Sequence, residues 1–239
     1  MAEDSFIQKD IWIFGDSFAD RFWPKSVDFT PWPGRLDISH QTLNMAKIGT
    51  GPDYSLDRLI QLFTATPKQH LKKKTLIFFS PDPFRLNLKC YKDPMESAKI
   101  YELAQGKIKS KATLFAKQLV EWYLDIEYRE RSDLQYLSTL NHVSQYFKQV
   151  LYWPVPSLTP TIENFLDVAD NMFIPNQALV DISIKDCGHQ NIGLVVDPRA
   201  NHLHQDNHDI MYDQLVNWIE NFSPIDTSKF KFVGPLETK

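Results

Sequence analysis

Two short runs with almost no polar residue in them, Ile11–Phe14 (IWIF) and Thr75–Ser80 (TLIFFS), constrain this chain more than any other feature. A continuous apolar run that does not alternate has no face to offer to water, so it belongs to a strand covered on both sides. Strands of that kind build parallel sheets with helices packed on each face. QTLNMA, over 41–46, reads as a third such strand, and DYSLDRLIQLFTAT separates it from TLIFFS. In that separator Leu56, Leu59, Ile60 and Phe63 recur at helical spacing, which predicts one apolar helix stripe. Strand, helix and strand in this order predict a right-handed crossover.

The first crossover is less regular, because Pro24, Pro31, Pro33 and Gly34 make 21–40 read as rich in loops. From Pro94 to Lys148 the pattern turns helical. Leu114, Phe115, Leu119, Trp122, Tyr123 and Ile126 mark one face, and Leu134, Leu137, Leu140 and Val143 another. This helix-rich segment, about 95–148, is either an inserted cap over the sheet or a set of ordinary covering helices. QVLYWPV reads as a fourth strand broken by Pro154, whereas FLDVADNMFIPNQALVDIS fits neither period. Met211, Leu215, Trp218, Ile219 and Phe222 predict a final amphipathic helix, with Asp206 and Asp209 suited to its amino-terminal turn. No internal repeat or domain-scale linker interrupts the sequence, so 1–239 reads as a single domain.

At 239 residues and 43% hydrophobic composition the chain can fill one generous core. Its formal net charge of −4 excludes the broad basic surface on which nucleic-acid affinity depends. The one tight basic run, Lys72 to Lys74, reads as the solvated flank of TLIFFS rather than a phosphate patch. No run approaches the roughly 18 apolar residues of a membrane span. MAEDSFIQKD lacks the basic and then apolar regions of a secretory leader, so the expected location is cytoplasmic. Cys90 and Cys187 show no Cys-x-x-Cys spacing and read as free thiols.

The chemistry-bearing stretch is IWIFGDSFAD, residues 11–20. Gly15 ends the strand and permits a turn that other residues resist, which delivers Ser17 to the carboxyl end, where open α/β sheets bind ligands. The plainer reading is that Asp16 and Ser17 cap the following segment. A serine nucleophile needs a base, a group to orient that base, and donors for the oxyanion. VVDPRANHLHQDNHDIM, residues 195–211, offers Asp197 and His202 on a loop before the last helix. Gly49 and Gly51, after the second strand, suit a backbone N–H donor, a plain turn or a phosphate cradle. Neither Gly-x-x-x-x-Gly-Lys nor Gly-x-Gly-x-x-Gly is present to favour the cradle. His202, His204, Asp206, His208 and Asp209 form a metal-like cluster without His-Glu-x-x-His. Solvent-facing side chains at a helix start account for His204 and His208 more simply, and no metal is assigned. Trp23, Trp32 and Trp153 suit either a sugar cleft or the core, and core packing is the default.

FGDSFAD, NMAKIGTG and DPRANHL, in this order, resemble the first, second and fifth sequence blocks of the SGNH (GDSL-type) hydrolases. The resemblance implies a flavodoxin-like three-layer α/β/α sandwich around a central, mostly parallel sheet. It also implies cofactor-free ester hydrolysis through an acyl-serine, with Ser17 as nucleophile, His202 as base and Asp197 as its orienting acid. The N–H groups of Ser17 and Gly49 would then be oxyanion donors. Small acyl esters, such as O-acetyl groups of carbohydrates, are the implied substrate class, with lipid-like esters or thioesters next. The sequence departs from the family twice. The acid usually stands three residues before the histidine, where this chain has Arg199, so Asp197 is the inferred acid, with Asp186 and Asp181 as substitutes. The usual oxyanion asparagine after the third strand is missing from FFSPDPFR, where Asp82 stands nearest and Ser80 or Arg85 is the substitute. An ionised Asp82 would repel the oxyanion. These departures keep a non-catalytic ligand-binding module on the same fold as the opposing expectation.

Overall fold

The computed structural model describes residues 7–21, 30–81, 126–155, 167–179, 181–182, 203 and 205–231. Five strands are described: β1 (Ile11–Phe14), β2 (Thr42–Asn44), β3 (Thr75–Ser80), β4 (Gln149–Pro154) and β5 (Met172–Phe173). They form one parallel sheet in the order β2-β1-β3-β4-β5. In register, Ile11 stands between Thr42 and Thr75, and Phe78 stands beside Phe14 and Tyr152.

Every residue of β1, β3 and β4 is buried, because the pleat sends alternate side chains into two different apolar layers. Ile11, Ile13, Ile77, Phe79, Leu151 and Trp153 enter one layer. Trp12, Phe14, Leu76, Phe78, Val150 and Tyr152 enter the other. The first layer is covered by α1 (Trp32–Ser39), through Trp32 and Leu36, and by α4 (Gln205–Asn221), through Met211, Leu215, Trp218 and Ile219. The second is covered by α2 (Pro52–Ala65), through Leu59, and by α3 (Ile126–Ser144), through Leu137, Leu140 and Val143. The described chain is thus a three-layer α/β/α sandwich. Within the helix-rich segment, 126–144 is a covering helix on the sheet, and 95–125 lies outside the described residues.

From β1 the chain crosses to β2 past α1, and from β2 it returns to the far side of β1 past α2 on the opposite face. Direction and face change together, as two crossovers of the same hand require. That reversal opens a switch point above the carboxyl ends of β1 and β3.

Four expectations are corrected. The loop-rich 21–40 contains α1, because Pro33 sits in the first turn, where a missing N–H costs nothing, and Trp32 and Leu36 bury themselves one turn apart. On α2, Ile60 is 45% exposed, and the buried side runs through Ser55 and Leu59 with Leu56, Leu62 and Phe63 packed beside them. Lys74 is no solvated flank. It is buried over the Trp12 ring, 5.4 Å from its centroid, and its ammonium donates to the carbonyls of Ile7 and Lys9 at 2.7 and 2.6 Å. The ambiguous stretch after β4 supplies β5, which pairs with Val150 and Leu151. Trp32 and Trp153 are core residues, fully buried, while Trp23 lies outside the described residues.

Candidate functional site

Gly15 ends β1 with a φ of +151°, a conformation L side chains rarely adopt. A Cβ placed there would lie 2.8 Å from Phe79 Cβ and 3.2 Å from Ala19 Cβ, so glycine lets β1 and β3 meet beneath the turn that follows. In that turn the Asp16 carbonyl accepts the N–H groups of Ala19 and Asp20 at 3.1 and 2.9 Å. The Asp16 carboxylate accepts the Phe18 N–H at 3.1 Å. Asp16 therefore caps the turn, as the plainer reading has it, and Ser17 is the turn's second residue and is buried.

A second segment runs alongside. Lys47 N–H donates to the Gly15 carbonyl at 3.1 Å, and Ile48 N–H donates to the Asp20 carboxylate at 2.8 Å. Asn44, at the end of β2, donates to the Ala19 carbonyl at 2.8 Å and accepts the Ala46 N–H at 2.9 Å. From α2, the Ser55 hydroxyl donates to the Gly15 carbonyl at 3.3 Å. The Lys47 carbonyl accepts both the N–H and the hydroxyl of Thr50, at 3.3 and 2.7 Å, which closes a turn over 47–50. Gly49 has a φ of +76°, the value that the third residue of a type II turn requires. Ser17 and Gly49 thus sit on adjoining turns tied together by backbone and carboxylate hydrogen bonds.

The remaining expected residues divide. Ser80 closes β3 and faces the α2 and α3 layer; its carbonyl accepts the Val155 N–H at 2.9 Å. Nearby, burial and the Asp133 carboxylate push the Tyr152 phenol well above its usual range, with the Ser80 hydroxyl acting against the rise. Asp181 lies in the helical turn after β5. Asp82, Arg85, Asp186, Asp197, Arg199, His202 and His204 lie outside the described residues. Leu203, the sequence neighbour of His202, is buried in the same layer as Phe18 and Ala19.

The metal-like cluster divides among separate partners. Asp209 pairs with Arg35, Asp206 stands 3.4 Å from the Lys231 ammonium, and no group of three metal-ligating side chains occurs among the described residues. His208 corrects the expectation of a solvent-facing residue. It is buried, and its Nδ1 accepts the Trp32 N–H at 3.4 Å, one of the donors a helix leaves unmet at its first turn. Sequence reasoning missed the roles of Asp20, Asn44 and Ser55 and misread that of His208; each has a partner far along the chain. Only Asn44, a polar residue closing an apolar strand, carried a local signal. Among the described residues no helix is long and apolar enough to cross a membrane. Compared with known families, curated proteins and solved structures, the chain matches none.

Proposed function

We propose that the chain is a serine ester hydrolase acting through an acyl-serine intermediate on small acyl esters, of which O-acetyl groups of carbohydrates are the leading class. The observation that carries the reading is the seat of Ser17, on a turn at the carboxyl end of β1 bound to the turn of Gly49. The strand order, that of flavodoxin-like sheets, supports the finer assignment to an SGNH-type fold. The burial of Leu203 in the apolar layer that also holds Phe18 supports His202 as the base, since the residue after that histidine is anchored on the same face of the sheet.

In the reaction, Ser17 Oγ bonds to the ester carbonyl carbon as its proton passes to His202, which Asp197 orients. The resulting oxyanion accepts N–H groups from Ser17 and Gly49. Collapse breaks the bond to the alcohol oxygen, which leaves with the proton from His202. Water then gives a proton to His202 and attacks the acyl-serine, and the proton returns to Ser17 as the acid departs. This chemistry calls on no cofactor.

The test is hydrolysis of p-nitrophenyl acetate and butyrate by the wild type and by Ser17→Ala, with fluorophosphonate labelling of both. The expected result is turnover and labelling that vanish in Ser17→Ala, with acetate preferred to butyrate. Equal turnover in both proteins removes Ser17 from the mechanism and overturns the reading; an unlabelled wild type that releases no p-nitrophenol overturns it in favour of a ligand-binding module. A preference for the longer acyl chain moves the substrate class to lipid esters.

A further inference from the structure

We infer that Asp20 is a positioning residue that fixes the backbone donor at Gly49 against Ser17, an inference that rests on the ester-hydrolase reading above. Asp20 is buried and belongs to the Ser17 turn, where its own N–H is held by the Asp16 carbonyl at 2.9 Å. Its carboxylate reaches across to the other turn and accepts the Ile48 N–H at 2.8 Å. Ile48 and Gly49 are the two central residues of the 47–50 turn, and the Gly49 N–H belongs to the peptide unit between them. That central unit is the part of a four-residue turn that differs between types I and II; rotating it reverses the direction of its N–H. The left-handed φ of Gly49 fits one of these states, and the Asp20 bond ties the unit's leading residue to the serine turn. The Asp20 side chain therefore joins the backbone bond from Lys47 to Gly15 in setting the spacing between the nucleophile and an oxyanion donor.

The carboxylate brings a negative charge close to where negative charge develops, which on Coulombic grounds opposes catalysis. Its contribution must therefore come through the hydrogen bond, and an amide oxygen in its place can accept the same N–H without the charge. Asp20→Asn separates the two effects.

Turnover of p-nitrophenyl acetate by the wild type, Asp20→Ala and Asp20→Asn, normalised to active sites titrated with a fluorophosphonate, and by Ser17→Ala, normalised to folded protein, tests the assignment. Asp20→Ala is expected to lower kcat by roughly 10- to 100-fold, below the loss for deleting a donor outright, with KM within about twofold. Binding of a boronic acid, which takes the tetrahedral form at the serine, is expected to weaken in step with kcat. Asp20→Asn is expected to retain kcat within about threefold, the acceptor being conserved. Unchanged kcat in Asp20→Ala, alongside a dead Ser17→Ala, overturns the role of Asp20 and leaves the hydrolase standing. A Ser17→Ala protein as active as the wild type removes both. If Asp20→Ala does not fold, amide exchange in the unmodified protein decides: Ile48 N–H is expected to be protected about 100-fold or more, and exchange at the open-chain rate overturns the assignment.

Discussion

The indole N–H of Trp32 donates to the carbonyl of Phe18 at 3.1 Å, joining the first turn of α1 to the residue beside Ser17. The same tryptophan packs on Phe79, with ring centroids 5.2 Å apart, and its backbone N–H meets His208 of α4. Trp32→Phe keeps most of the apolar surface and removes the indole donor. It is expected to destabilise the fold by about 1–3 kcal/mol, combining a lost buried hydrogen bond with a small cavity. The urea midpoint, with unchanged slope, measures this.

Gly15→Ala tests the approach of the first and third strands. The added methyl would meet Phe79 Cβ at 2.8 Å in a backbone conformation alanine resists, and the opposing strand cannot rotate away as a flexible side chain would. Overpacking of this kind costs about 1–3 kcal/mol. Urea unfolding is expected to show that loss, and the fluorophosphonate labelling rate at Ser17 to fall with it.

Lys74 predicts a pH dependence with a definite sign. Burial holds its pKa below the ordinary lysine value, and Asp10 opposes that effect without cancelling it. Between the lowered folded pKa and the unfolded value, the unfolded chain carries more proton, so this group's contribution to stability rises with pH across that window and levels off above it. Lys74→Met removes the titration and leaves the carbonyls of Ile7 and Lys9 without their ammonium donor. The stability of the wild type relative to Lys74→Met is expected to increase as pH is raised toward 10.5, followed by urea unfolding; a decrease would contradict the assignment.

The sheet was legible because strands covered on both faces leave unbroken apolar runs, and β1 and β3 fall where IWIF and TLIFFS predict. Helix α1 was not, since Pro33 and Gly34 suppress local propensity and its stability comes from Trp32 and Leu36 packing on the sheet. Periodicity located α2 but not its buried edge: Ser55 turns inward because its hydroxyl has the Gly15 carbonyl to bond, and Ile60 turns out. His208 and Lys74 look like surface residues in sequence because the groups that satisfy them, the Trp32 N–H and the carbonyls of Ile7 and Lys9, belong to distant segments. At the candidate site, the turns that carry Ser17 and Gly49 announce themselves through their glycines, Gly15 and Gly49, both at positive φ. Asp20 acquires its role from Ile48, a partner no local spacing reveals.

The described sheet places its longest and most apolar strands, β3 and β4, inside, and ends on β2 and β5, of three and two residues. An unpaired strand edge is a template on which another chain can add, and its danger grows with length. Strands this short offer an incoming strand only a few backbone groups, while the six-residue runs that would nucleate a fibril if uncovered pair with each other along their whole length and each has a further neighbour, β1 for β3 and β5 for part of β4. The strand order that puts a switch point at the carboxyl ends of β1 and β3 therefore also keeps the longest described strands away from the described edges of the sheet.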